Sequence, residues 1–583
     1  MQLSTVHTPE VKARWLATAK HMLAHDALSP SEYVRIRGII SDGISLEFPD
    51  GLPPPSQLAN SIKVTRSVAF CVDRLQHYIK IGAVVRPTEQ DKASYDYIQP
   101  LIVIEKPGKK PRLVLDLSRN LNDFTPPAPV QYDSVEAAIL LARPNDWFAK
   151  HDLSDCFLSF DIHPEHRRFF TFELAGTIYQ FARMPFGLKQ APRDCTLLLS
   201  VVAHAMRLRG VSLVRFLDDF LYNARSRAEG ERMLVIAAEV FASFGLRVND
   251  DKTVLPSQRI VFLGILLDSV ARTVGIDEDR RNELVALIDE RLTRTSEHGS
   301  LTVSALQLQS LLGKFSFAAT VLPGSRPFLR RGFDLLRSLG RVVGLRRRDT
   351  RITLSTLFCD DLLIWRNHID VWNGSSPWSS LAPHPSAVLY ADASSSYGCG
   401  FLIASPTTPP GSATRVSLRW TAAWRHAVAD STNIQVGELF AVVAAVAYYL
   451  PALAGQHILL FSDNAAVVSI VNRQRTKSPS DDLRSLLRSL CGLLCSNRVQ
   501  LSLRYVRTED NPADCLSRGF SHLPAEFSCS CRLHLRNSVR GWMPSCEWHP
   551  ACVCDPPRGP STAPNGLRLP TSATAWASTG SPL

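Results

Sequence analysis

Arg215-Phe216-Leu217-Asp218-Asp219-Phe220-Leu221-Tyr222 sets two adjacent aspartates between apolar runs. Residues 211–216 and 220–222 read as two short strands, with the acid pair at the turn between them. Neighbouring carboxylates among apolar residues repel each other and lose hydration, and a divalent cation offsets both costs. Taken alone, the same octapeptide also suits an Asp-rich hairpin turn open to water.

A second acidic strand end changes that balance. Trp147-Phe148-Ala149-Lys150-His151-Asp152-Leu153-Ser154-Asp155-Cys156-Phe157 reads as an extended segment ending in Asp152. Two-metal phosphoryl transfer needs carboxylates from at least two elements, to hold a pair of ions about 3.5–4 Å apart. Asp152, Asp218 and Asp219 can supply such a set. Asp155 is expected to cap the helix that follows the strand.

From Pro111 to Gly264 the chain resembles the fingers and palm of a reverse transcriptase, with its motifs in family order. Lys106-Pro107-Gly108-Lys109-Lys110-Pro111-Arg112 resembles the segment that grips the nucleotide triphosphate, with Arg112 and Lys106 as the phosphate-binding pair; without that context it reads as a solvated basic turn. The resemblance makes Asp152, Asp218 and Asp219 catalytic metal ligands. It makes Phe157 the ring that closes off the sugar 2′ position, where core packing is the alternative. Met184-Pro185-Phe186-Gly187-Leu188-Lys189-Gln190-Ala191-Pro192 resembles the family's loop and helix start, with Gly187 letting backbone approach the template–nucleotide pair. Phe216 stands where Tyr is usual. Lys252 sits either near the leaving pyrophosphate or on the surface. Val261-Phe262-Leu263-Gly264 resembles the turn that grips the primer.

A second acidic pattern lies further on. Val388 to Ser394 reads as a strand ending in Asp392, Gly437-Glu438-Leu439-Phe440 opens an apolar helix, and Ile458 to Asn464 is a strand ending in Asp463. An alternating segment, 499–505, precedes Asn511-Pro512-Ala513-Asp514-Cys515-Leu516-Ser517-Arg518. Singly these acids are turn formers or first-turn helix charges. Together they resemble the ribonuclease H fold, with Asp392, Glu438, Asp463 and Asp514 as its catalytic and metal-binding four. The histidine that many cellular ribonucleases H carry before the last Asp is not evident. The Asn-Pro-Ala-Asp-x-Leu-Ser-Arg ending is retroelement-like, most similar to the DIRS-like group, with gypsy-like and pararetroviral polymerases more distant. No protease, integrase or tyrosine recombinase is recognisable, so the chain is read as a product of, or a fragment from, a longer element.

The remaining organisation follows. The chain has 583 residues, 45% hydrophobic and 20% charged, with a formal net charge of +11, which suits a nucleic-acid partner. Nine arginines lie from Arg326 to Arg351, among them Arg346, Arg347 and Arg348. In position this stretch is a thumb tracking duplex phosphates, and otherwise a solvated helix face. Leu308, Leu311, Leu312 and Phe315 repeat at helical spacing behind a cap at Ser304. The expected division is 1–60 N-terminal helical extension, 61–270 fingers and palm, 271–355 thumb, 356–386 connection or linker, 387–520 ribonuclease H-like domain and 521–583 tail. The expected fold class is therefore α/β (α+β), a right-hand polymerase followed by a ribonuclease H-like domain.

The resemblance implies two Mg²⁺ per active site, with Mn²⁺ possible. It also implies an RNA template, a DNA primer, an RNA–DNA hybrid and deoxynucleoside triphosphates as partners. Residues 1–20 are polar and the apolar run 439–454 is short and holds Pro451, so no membrane partner and an intracellular site, nucleus or cytoplasm, are expected. Cys529, Cys531, His534, Cys546, His549, Cys552 and Cys554 read as tail composition, or as a zinc site of poor spacing. The alternative function is a decayed or co-opted retroelement protein that binds nucleic acid. A further alternative is a nuclease whose polymerase half only grips the hybrid. The seven acids being intact argues against decay.

Overall fold

The structure, a computed structural model, describes residues 8–87, 96–106, 109–298, 302–342, 350–372, 374–378, 385–404, 414–421, 434–476, 478 and 480–519. The cysteine–histidine cluster and Arg346 to Arg348 lie outside the described residues. Helices and strands both contribute throughout, giving a mixed α/β fold. Two compact units divide the chain, Met1–Thr273 and Val274–Leu583.

In the first unit, α1 (Pro9–Ala24) and α2 (Pro30–Asp42) begin with side-chain caps from Thr8 and Ser29, each followed by Pro at the first helical turn. These are the helices expected of the N-terminal helical extension at 1–60, and one face of each is buried in the unit's own core. Trp15 is fully buried, edge-on to Phe160 and Phe244 at 5.9 and 4.9 Å between centroids, and its indole N–H donates to the Phe244 carbonyl at 3.1 Å. Truncating such a ring to Ala costs about 3–5 kcal/mol.

Next come a hairpin of β1 (Leu101–Lys106) and β2 (Lys109–Leu115), then β3 (Trp147–Asp152), α3 (Ala191–Leu208), β4 (Leu213–Phe216), β5 (Asp219–Ala224), α4 (Arg227–Ser243) and β6 (Val254–Ser257). The last four strands form an antiparallel sheet in the order β6-β3-β5-β4. Phe220 and Tyr222 alternate along β5 into the core, as period-2 patterning requires.

The second unit holds the predicted thumb, linker and C-terminal regions together. α5 (Ala305–Ala318) starts with a capping box, Ser304 with Gln307, and buries Leu308, Leu311, Leu312 and Phe315, as read from the sequence. After α6 (Arg330–Val342), the stretch expected to be a connection or linker, 356–386, opens as a helix, α7 (Thr356–Val371), capped by Ser355. Its buried Phe358, Leu362, Trp365 and Ile369 fall on one face at helical spacing, so the segment has a core face and cannot serve as a free tether.

Beyond it β7 (Ala387–Ala393), β8 (Gly398–Ala404), β9 (Thr414–Arg419), α8 (Ile434–Leu453), β10 (His457–Ser462), α9 (Ala465–Arg473), α10 (Asp481–Ser496) and β11 (Gln500–Tyr505) complete the unit. The sheet order is β9-β8-β7-β10-β11. β7, β8 and β9 are antiparallel, while β10 and β11 run parallel to β7 and to each other. α8 is, among the described residues, the helix long and apolar enough to cross a membrane. Every residue from Val436 to Val446 is buried, which is how a core helix of this composition sits.

The basic stretch is partly a structural net. Arg330 and Arg337 both pair with Asp334, at 2.9 and 2.8 Å, and Arg326 donates to the Ala319 carbonyl. Arg331 and Arg488, from α6 and α10, converge on fully buried Asp361 of α7. Removing the shared anion leaves the largely buried Arg488 guanidinium without its counter-ion, while Arg331 keeps the Leu357 carbonyl, so Asp361→Ala should cost about 3 kcal/mol in urea unfolding. A change below about 1 kcal/mol would mean that solvent already satisfies Arg488.

Candidate metal-binding active sites

The β3–β5 register sets Asp219 directly opposite Asp152, and such pairs have Cβ atoms about 4.5–5.5 Å apart. Asp218 occupies the two-residue turn between β4 and β5, preceded by Leu217 at φ +51°. A left-handed Leu costs roughly 1–2 kcal/mol, strain of the kind found at functional turns. The Leu153 amide donates to the Asp218 carbonyl at 3.3 Å and the Asn249 amide to the Asp152 carbonyl at 2.8 Å, so backbone bonds hold the acids in place.

Burial, then the charges of Asp152 and Asp219, push the Asp218 carboxyl up to about 6 against the pull of Lys252. Lys252 Nζ lies 2.8 Å from Asp152 Oδ1, which puts it at the acid cluster and not on a remote surface. Lys150 Nζ lies 2.8 Å from Asp219 Oδ1. Three converging carboxylates that already draw two lysines form a hard-oxygen set matched to divalent cations.

Around them, Phe157 meets Phe186 at 5.2 Å between ring centroids. Gly187 has φ +108°, and a Cβ there would stand 2.0 Å from the Leu115 carbonyl oxygen of β2. The close approach that demands glycine is therefore to the chain's own strand. Asn122 clasps the same loop: its Nδ2 donates to the Gly187 carbonyl at 2.9 Å, and its Oδ1 accepts from the Lys189 amide at 2.9 Å. Arg112 is exposed on β2 opposite Ile104 and makes no ion pair with the three aspartates among the described residues. Lys106 ends β1, with its side chain outside the described set.

Asp155 is not a helix cap. At φ +50° its carboxylate meets His77 Nε2 at 3.0 Å and Arg247 at 3.9 Å. Sequence reasoning also passed over Lys150 and Asn122. Lys150 left a signal, since residues two apart on a strand share a face with Asp152. Asn122 left none, because its partners are 65 and 67 positions away.

In the second unit, Asp392 near the end of β7, Glu438 on α8 and Asp463 just after β10 bring carboxylate oxygens within 4.8 Å of one another. Burial first, then Asp463 and Asp514, raise Asp392 to about 7, against Ser517 and Arg518. Burial, then Asp392 and Asp463, hold Glu438 well above the carboxylate range, and its Oε2 is buried without a hydrogen-bond partner. An orphaned buried oxygen among acids needs protons or a cation, and this all-oxygen donor set suits a divalent cation.

Asp514 lies outside that tight trio. It pairs with Arg518, four residues on, at 2.8 Å, the spacing of neighbours on one helix face. Gly400, the register partner of Asp392, lets the Asp514–Ser517 turn approach: a Cβ there would lie 2.3 Å from Leu516 Cβ. Thr508 Oγ1 donates to Asp463 Oδ2 at 2.8 Å.

These raised carboxyls give metal-free protein a stability that is full below about pH 4 and lost as pH climbs through about 6 to 7. In chelator, the melting temperature should fall from pH 5 to pH 8, and Mg²⁺ should narrow the difference at pH 8. A melting temperature that rises through this window in chelator would contradict the charge crowding.

Residues 104–267 match the family model for reverse transcriptase (RNA-dependent DNA polymerase). Similar proteins include an uncharacterized protein of Caenorhabditis elegans, 28% identical over 173 residues, which are 29% of this chain and 13% of that protein. The Gag-Pol polyprotein of walleye dermal sarcoma virus is 27% identical over 178 residues, 30% of this chain and 10% of its own length. The retrovirus-related Pol polyprotein from transposon gypsy of Drosophila melanogaster is 22% identical over 204 residues, 34% of this chain and 19% of its own. The matched stretch is thus a small part of each relative. A foamy viral protease-reverse transcriptase, solved in complex with an RNA/DNA hybrid, is similar over 89% of this chain and 65% of its own, at 15% identity and a TM-score of 0.46. The chain carries a reverse transcriptase domain within 104–267, and the second acid cluster lies outside it.

Proposed function

We propose that this chain, with its reverse transcriptase domain, is the RNA-directed DNA polymerase of a DIRS-like retroelement and also hydrolyses the RNA of the hybrid it makes. The observation that carries the polymerase reading is Asp152 held opposite Asp219, with Asp218 at the adjoining turn, inside the family-matched segment. Mg²⁺ ions bound by these three acids, two per site and replaceable by Mn²⁺, would lower the pKa of the attacking 3′-hydroxyl and steady the leaving pyrophosphate.

The protein's own groups do the rest. Phe157, backed by Phe186, excludes a 2′-hydroxyl by bulk. Gly187 keeps its loop flush against β2 beside the nucleotide. Arg112 and Lys106 bind the triphosphate, and Lys252, beside Asp152, faces the departing charge. The arginines of the second unit that lie beyond the structural net supply contacts to duplex phosphates.

The Asp392–Glu438–Asp463 trio, with Asp514, favours hydrolysis of RNA in a hybrid at a second two-metal site. The antiparallel-then-parallel sheet that bears it supports the same reading. The substrates are deoxynucleoside triphosphates, a DNA primer on an RNA template, and the RNA–DNA hybrid, in the nucleus or cytoplasm. Primer extension on homopolymer RNA by the full chain in Mg²⁺, with RNA degradation read in parallel, tests both halves. Absence of extension in Mg²⁺ and in Mn²⁺ would end the polymerase reading.

A further inference from the structure

Asp194, in the first turn of α3, has a fully buried side chain. Its Oδ1 accepts from Arg35 Nε at 2.8 Å and Arg193 Nε at 3.1 Å; its Oδ2 accepts from Arg35 Nη2 at 2.9 Å and Gln190 Nε2 at 3.1 Å. Gln190 Nε2 also donates to the Ser45 carbonyl at 3.1 Å, and Arg35 Nη1 meets Glu47 Oε1 at 3.2 Å. One carboxylate therefore ties α2 and the segment behind it to the start of α3. Gln190 makes no capping bond with its side chain, which is committed to this cluster.

Only Leu188 and Lys189 separate Gln190 from Gly187. The clamp thus fixes one end of the loop whose other features are the Phe186–Phe157 contact and the press of Gly187 on Leu115. Arg35 belongs to α2, outside the family-matched residues 104–267.

We propose that Arg35 is a positioning residue for the nucleotide side of the polymerase site, and that the two N-terminal helices are a working part of that site; the inference rests on the polymerase reading above. A two-pronged guanidinium–carboxylate pair fixes angle as well as distance, which a single ammonium cannot do. Losing it lets the α3 start and the Gly187 loop drift, and small misplacements at a reacting centre are costly.

The test is single-nucleotide incorporation by the full chain on a primed RNA template, comparing wild type, Arg35→Leu and Arg35→Lys. Arg35→Leu should raise KM for the deoxynucleoside triphosphate about tenfold, with a smaller change in kcat and an intermediate KM for Arg35→Lys. Hydrolysis of the hybrid's RNA, assigned to the other unit, should stay at the wild-type rate, and the melting temperature together with retained kcat for extension reports folding of the first unit. A KM within about twofold of wild type, even with a lowered melting temperature, would reduce Arg35 to a structural role and overturn the inference. If Arg35→Leu does not fold, Arg35→Lys decides alone, by a raised or an unchanged KM. A wild-type chain that incorporates nothing would sink the polymerase reading itself, a separate outcome.

Discussion

Asp218→Asn should lower DNA synthesis by about 10³-fold or more while RNA hydrolysis in a hybrid continues at the wild-type rate. Asp218 sits in a turn that backbone bonds hold against β3, so the amide keeps its place and only charge is lost. Its neighbours then matter. Asp152 and Asp219 keep Lys252 and Lys150, whereas the carboxyl crowded to about 6 becomes neutral, and the cation-binding charge falls where carboxylates are most concentrated. The second acid trio lies in the other unit, so its chemistry should not change. Single-turnover extension and hybrid degradation on one protein preparation would show this separation. Equal loss of both activities would mean that the variant is misfolded or that one site performs both reactions.

The second large effect has opposite signs in two readouts. Glu438→Gln should abolish RNA hydrolysis and, without metal at pH 8, stabilise the chain by about 1–2 kcal/mol. Glu438 is nine-tenths buried or more, is flanked by Asp392 and Asp463, and has an oxygen without a partner. Ionised in that setting it opposes folding, and an amide of the same shape removes the repulsion and donates a hydrogen bond to a neighbouring carboxylate. Mg²⁺ should stabilise the wild type more than the variant, which keeps only the first unit's acids to bind it. A residue kept for packing or hydrogen bonding would give the reverse, lower stability and unaltered metal response. Urea unfolding in chelator and in Mg²⁺ distinguishes the two.

The elements that carry acids were legible because their signals are local. Apolar runs marked the strands that carry Asp152 and Asp392 and the one just before Asp463, and Ser304 marked the start of α5. The connection or linker expected at 356–386 opens on a helix with a signal of the same kind: Phe358, Leu362, Trp365 and Ile369 repeat at helical spacing before the Ser and Pro beyond Trp372. The counter-ions were harder to see. Lys150 and Arg518 stand at strand and helix spacings from their acids, but a lysine or arginine at such a spacing is common on any exposed face.

By itself the sequence marked the strands that carry or precede Asp152, Asp392 and Asp463, the helix that carries Glu438 and the cap at Ser304, since apolar runs, capping and turn chemistry are written within about ten consecutive residues. Only the tertiary structure decided that Asp152 faces Asp219, that Arg35 reaches Asp194 across 159 positions, and that Arg331 and Arg488 share one buried anion. Strand register and helix docking are settled by packing between distant segments, and a one-residue slip would turn every side chain of a strand to its other face.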